Sequence, residues 1–86
     1  MSQIGAVARQ LDFTWLGLSA DSPFSGRTIG ELRIRTSIGV SVVGLIHEGS
    51  LTAKPDSSAS LDAGDMVAVL GTRDQIARFK ERARGH

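Results

Sequence analysis

Cysteine and tyrosine are absent from this sequence, and the whole chain holds two prolines, one tryptophan and three phenylalanines. Without cysteine there is no disulfide framework and no thiolate metal site. The same absence suits a reducing compartment. So few aromatic rings, and no tyrosine, leave little with which to stack nucleic-acid bases. An excess of one charge is also lacking: ten Lys and Arg stand against nine Asp and Glu, a net charge of +1. Bulk charge therefore points to no nucleic-acid polymer and no anionic membrane as partner. No apolar run approaches the ~20 residues that span a bilayer. The amino terminus, Met1 to Arg9, has no basic stretch ahead of its short apolar segment, so no signal peptide is read. A cytoplasmic protein, or a soluble piece of a larger one, is the expectation.

What is present amounts to 86 residues with an apolar share of 41%, which fits one small domain. A chain of this size buries roughly 60–65% of its unfolded surface, so a single core is marginal. The stretch Gly26 to Ile46 organises the rest. Thr28-Ile-Gly-Glu31 fits a capping box, in which the Thr28 hydroxyl accepts from the N–H of Glu31 and the Glu31 carboxylate accepts from the N–H of Thr28. A short helix follows, with Ile29 and Leu32 on one side. Gly39 ends the irregular part. Val40 to Ile46 then reads as a strand with apolar residues on both faces, Val40, Val42 and Ile46 on one and Val43 and Leu45 on the other. Such a strand has to be covered on both sides.

Around this stretch, residues 1–10 are read as a linker or a helical turn, and 11–86 as the domain. Leu11 to Leu18 reads as a first strand with Leu11, Phe13 and Trp15 on one face. Ser19 to Gly26 is a loop around Pro23. His47 to Ser50 makes a hairpin tip, where Gly49 supplies the positive φ. Leu51 to Lys54 returns as a short strand that Pro55 stops or places on an edge. Asp56 to Ser60 is a loop, Leu61 plugs the core, and Asp62 to Asp65 is a turn. Met66 to Leu70 is a second continuous apolar strand. Thr72 and Gln75 form another capping box. The helix it opens runs to about Arg84, with Ile76, Phe79 and Ala83 along one stripe and Gly85 beyond its end. The fold class is α+β, a small, mostly antiparallel sheet with one short and one longer helix. Two helices cover about one face of it. The apolar residues left over point to a homodimer.

Gly26-Arg-Thr-Ile-Gly-Glu-Leu32 with Ile34-Arg35 and Gly39-Val-Ser-Val-Val43, then Gly64-Asp-Met-Val-Ala-Val-Leu-Gly71, resembles the C-terminal RCK domain, also called the TrkA-C domain. The likeness runs from about Leu11 to Phe79. It implies a dimeric regulatory module of a potassium channel, a cation–proton antiporter or a related transporter, peripheral to the membrane through that partner. It also implies a small anionic ligand in the dimer cleft, cyclic di-AMP in some members. Carried over residue by residue, the ligand-binding positions are Ile29 and Arg35 around the short helix and Ser41 and Val42 at the start of the central strand. Lys54 and Pro55 match more loosely. Ser41 stands where the cyclic di-AMP binders tend to carry an amide, so the ligand stays open between that nucleotide and another anion. The Gly-x-Gly-x-x-Gly of the family's usual nucleotide-binding half occurs nowhere in the sequence.

Each candidate has a plainer competitor. Arg35 offers a planar fork of donors suited to phosphate, or is a surface arginine at a helix end. Ser41 and Val42 contact a base, or are ordinary strand residues. Thr28 and Glu31 are read as structural. Gly64 and Asp65 are read as turn chemistry, because one glycine does not make a nest of N–H donors. His47 and His86, far apart in sequence, give no metal-ligand spacing, and Asp62 with Asp65 reads as a solvated or capping pair ahead of a loose site for a divalent ion. No cofactor is expected, and no nucleophile–base arrangement can be argued from spacing, so no enzyme is expected. The basic residues of the last helix are read as a solvated face rather than a nucleic-acid surface. The alternatives to a ligand-sensing regulator are a structural dimerisation module without ligand and a small nucleic-acid-binding protein.

Overall fold

A computed structural model describes residues 11–85 of the chain. The reading of residues 1–10, and His86, lie outside the described residues.

Strand β1 is Asp12–Gly17. A two-residue strand β2, Arg27–Thr28, leads into helix α1, Ile29–Leu32, and then a single π-helical turn, Ile34–Ile38. Strands β3, Ser41–His47, and β4, Ser50–Ala53, form a hairpin. A second two-residue strand β5, Ser60–Leu61, precedes β6, Met66–Gly71, and helix α2, Arg73–Arg84. The main sheet has four strands in the order β1-β6-β3-β4, all neighbours antiparallel. Strands β2 and β5 pair separately. The mostly antiparallel α+β class expected from the sequence is the observed one.

Both capping boxes form. The Thr28 Oγ1 accepts from Glu31 N at 3.1 Å while Glu31 Oε1 accepts from Thr28 N at 2.9 Å. The Thr28 N–H and hydroxyl hold the Glu31 carboxyl below its usual range. Thr72 and Gln75 repeat the exchange at the start of α2, whose end is closed by Gly85 at φ 86°. Gly39, at φ 97°, allows the π-turn to abut α2: a Cβ there would meet Gln75 Nε2 at 2.5 Å.

Helix α2 lies across one face of the sheet. Its Ile76, Phe79 and Ala83 bury against Val67 and Val69 of β6, Leu45 of β3, and Val40, Ile34, Ile38 and Leu61. The Phe79 and Phe24 rings sit 5.5 Å apart.

One face assignment made from the sequence is corrected. The alternation along β3 breaks between Val42 and Gly44, where Val43 is the extra residue of a β-bulge. Val42 pairs with Val69 and Leu45 with Val67, on the helix side, whereas Ile46 pairs with Met66 on the opposite side. Strict alternation miscounts because a bulge inserts one residue and inverts the phase beyond it. Phe13 and Trp15 share a face, as read from the sequence, and it is the one away from α2; both are exposed, as is Leu11 just before the strand. On that same outer face lie Met66, Leu70 and Leu51, also exposed.

Candidate functional site

Helix α1 is only one turn long, and its position follows from what surrounds it. Its N-terminus is held by the capping box, and its first residues are strapped to the β4–β5 loop by Ile29 N to Ala59 O at 3.0 Å and Gly30 N to Ser57 O at 2.8 Å. It stops at Arg33, which adopts φ 50° and ψ 41°, a left-handed conformation that closes the turn through its N–H to Gly30 O. The chain then winds into the π-turn, sealed by Gly39 N to Ile34 O at 3.0 Å. Ile34 and Ile38 face the core, so the residues between them point outwards.

Between α1, the π-turn, the first residues of β3 and the β4–β5 loop lies an open cavity of about 770 Å³. Its apolar wall is Ile29, Ile34, Val40, Val42 and Pro55. Arginines and hydroxyls make up its rim: Arg33, Arg35, Thr36, Ser41 and Ser57. A mostly apolar concavity with a few convergent polar groups is the usual form of a small-molecule site. Among the described residues no carboxylate lines it.

Of the residues singled out in the sequence, Ile29, Arg35, Ser41, Val42 and Pro55 all line this cavity, although β3 and the β4–β5 loop reach it from different parts of the chain. Lys54 does not line it. Its backbone adopts φ 52° and its N–H donates to the carbonyl of Val43 at 3.1 Å, so it belongs to the bulge and the end of β4. Arg35 is exposed and lies in the π-turn rather than at the end of the short helix. Arg33, Thr36 and Ser57 were not singled out. Thr36 and Ser57 carry no motif of their own. Arg33 gave no signal either, because a left-handed helix end is announced by glycine or asparagine and not by arginine.

A second polar constellation lies at the other end of β3. Because Ile46 pairs with Met66, the residues just beyond that pair, His47 and Asp65, are neighbours. Asp65 is buried, with Oδ1 2.6 Å from His47 Nδ1 and Oδ2 accepting from Asp62 N at 2.9 Å. The hydrogen bond from His47 to Asp65, and the Asp65 charge, raise the His47 pKa, helped by Glu48 and Asp62 nearby. Ligand atoms of His47, Asp62 and Asp65 gather within 4.8 Å of one another. Both Asp65 oxygens already accept protein hydrogens, and the group ties the hairpin to the β5–β6 turn. The turn role read for Gly64 and Asp65 fits this geometry: Gly64 adopts φ 89° and its N–H donates to Leu18 O at 2.8 Å. The His47–Asp65 pair was missed because it depends on the β3–β6 register. Among the described residues no helix is long and apolar enough to cross a membrane.

The model of the TrkA-C domain matches residues 13–84. The ammonium/H(+) antiporter subunit AmhM of Alkalihalophilus pseudofirmus is 25% identical over 81 residues, covering 94% of this chain and 48% of that protein. The Ktr system potassium uptake protein A of Vibrio alginolyticus is 32% identical over 56 residues, covering 65% of this chain and 26% of that protein. The chain thus spans less than half the length of either relative. Among solved structures, the RCK_C domain dimer of S. agalactiae BusR in complex with c-di-AMP superimposes with a TM-score of 0.79 at 28% identity, over 86% of this chain and 97% of that one.

Proposed function

Because the chain belongs to the TrkA-C domain family, we propose that it is a ligand-sensing regulatory domain of a potassium or other cation transport system, channel or cation–proton antiporter, that works as a homodimer. Residues 11–86 form the regulatory unit. The cavity beside α1 takes a small anionic ligand at the subunit cleft, with cyclic di-AMP as the first candidate. Ile29, Val42 and Pro55 offer apolar surface to it, Ser41 a hydroxyl and Arg35 a charged fork. Lys54 acts through the backbone that positions Pro55. The ligand favours one arrangement of the two subunits, and the attached transporter reads that arrangement. No step of this requires chemistry on the ligand, a cofactor or a metal. The domain would lie in the cytoplasm, at the membrane only through its transporter.

The observation that carries this reading is the convergence of Ile29, Arg35, Ser41, Val42 and Pro55 on one open cavity that no carboxylate lines among the described residues. The relatives support it: one is an antiporter subunit, one a potassium uptake protein, and BusR is a dimer with c-di-AMP bound. The exposed apolar outer face of the sheet favours a second reading, a dimerisation module that binds nothing.

Calorimetry separates the two. Cyclic di-AMP titrated into the domain should release or absorb heat, and Arg35→Ala should weaken binding by ~1.5–3 kcal/mol for each charged hydrogen bond lost. Arg35→Lys should recover part of the loss, since the charge stays and the fork geometry goes. Folding should hardly change, because Arg35 is exposed. No heat from any nucleotide or anion, or an unchanged affinity in Arg35→Ala, leaves the dimerisation module standing.

A further inference from the structure

Arg33 occupies a position whose backbone asks for a different residue. At φ 50° and ψ 41° it lies in the left-handed region, which glycine and asparagine enter at less cost than arginine. Its backbone is well used. The N–H donates to Gly30 O at 3.2 Å, and the carbonyl accepts from Ser37 N at 2.8 Å, Ser37 Oγ at 2.8 Å and Thr36 Oγ1 at 3.4 Å. Glycine or asparagine would keep every one of these contacts, so none of them accounts for an arginine.

The side chain has an explanation of its own. Arg33 lines the same cavity as Arg35. Both are exposed, and among the described residues the ion pairs are those of His47, so neither guanidinium is neutralised by a carboxylate. The rest of the polar rim is hydroxyl. The cavity therefore carries two uncompensated positive charges in a chain whose net charge is +1. Strain at a residue facing a concavity is a common companion of binding.

The pair of guanidiniums also speaks to the kind of anion. The acceptor sites of a carboxylate lie in one plane, whereas the oxygens of a phosphate ester point to the corners of a tetrahedron, so guanidiniums that approach from different directions are each better matched by the phosphate. We propose that Arg33 is a second anion-binding residue of this cavity, gripping together with Arg35 one phosphate ester per protomer. This rests on the reading of the cavity as a ligand site and adds to it a second guanidinium.

The strain supplies an unusual signature: one substitution should move stability and binding in opposite directions. Arg33→Asn relieves the backbone and removes the charge. Its melting temperature should rise by about 2–5 °C. Its affinity for the phosphate ester should fall about tenfold or more, with a shallower dependence on salt. Arg33→Lys, which keeps both strain and charge, should melt like the wild type and bind with an intermediate loss. The probes are cyclic di-AMP as a diester, AMP as a monoester and succinate as a dicarboxylate, each titrated by calorimetry into the full chain. Whichever nucleotide binds more tightly identifies the ester, and succinate should bind neither tightly nor with any dependence on Arg33. Wild-type affinity in Arg33→Asn, with loss in Arg35→Ala, overturns the role of Arg33 and leaves the cavity reading intact. A lower melting temperature in Arg33→Asn overturns the strain argument, and succinate binding as tightly as a nucleotide overturns the ligand class. No binding of any probe to the wild type overturns the cavity reading as well.

Discussion

The two faces of the four-stranded sheet are built from similar residues and meet different fates. On the inner face Val67, Val69 and Leu45 are buried beneath Ile76, Phe79 and Ala83 of α2. On the outer face Phe13, Trp15 and Leu51 remain 54%, 39% and 65% exposed, joined by Met66 and Leu70. Nothing in side-chain hydropathy separates the two sets. What separates them is that one helix is long enough to lie across a sheet and the other, a single turn, is spent on shaping the cavity. Apolar character specifies that a face will be covered, and the inventory of elements specifies whether the chain itself can cover it. An uncovered apolar face of this kind marks an interaction surface, which supports the proposed homodimer.

The sharpest way to break the comparison is at its centre. Phe79→Ala removes a fully buried ring that contacts Phe24, and should lower stability by about 3–5 kcal/mol in a denaturant titration. A loss no larger than that of an exposed residue would mean that α2 does not close the inner face. The matching change on the outer face is the pair Phe13→Ser with Trp15→Ser. Both rings are exposed and stack edge to face at 6.0 Å, so the subunit fold should lose about 1 kcal/mol or less. Sedimentation at micromolar concentration should show the shift from dimer to monomer in that variant. A dimer that survives both substitutions would place the subunit contact elsewhere.

The smallest effect concerns the buried acid at the rim of the inner face. His47 gains a partner in Asp65 on folding, so its folded pKa lies above its unfolded value, about 6.5. The stabilisation is fully present below that value and fades as pH rises through the raised folded pKa. The His47 side chain is 48% exposed, so solvent screens the pair and the slope is shallow. Denaturation midpoints across this interval should fall with rising pH in the wild type and stay flatter in His47→Gln. Identical slopes would show that the pair contributes nothing to the fold.

Local signals in the sequence carried the reading furthest. Thr28 with Glu31 and Thr72 with Gln75 declare two helix starts, because a capping box is decided within four residues. Gly85 declares the end of the second helix for the same reason. The order of the main strands followed from continuous apolar runs. What the sequence left open depended on partners distant along the chain. The outward turn of Phe13 and Trp15 is set by pairing with β6, the His47–Asp65 contact by the β3–β6 register, and the β2–β5 pair by strands too short to show a period. The cavity was legible mainly through family likeness: Ile29 and Pro55 share no local pattern, and the left-handed backbone at Arg33 brings an arginine to the rim that no helical period anticipates.

The bulge at Val43 makes β3 a strand in two phases. Before it, Val42 lies on the side of α2 and borders the cavity together with Ser41; after it, Leu45 lies on that same side and Ile46 on the outer face, with the parity inverted. The Val43 carbonyl receives the Lys54 N–H, so the splice is shared by both arms of the hairpin, and the peptide that follows Lys54 begins with Pro55, back at the cavity. One surplus residue thus lets Val42 at the cavity and Leu45 beneath α2 lie on one side of a single continuous strand, which strict alternation over three positions would forbid.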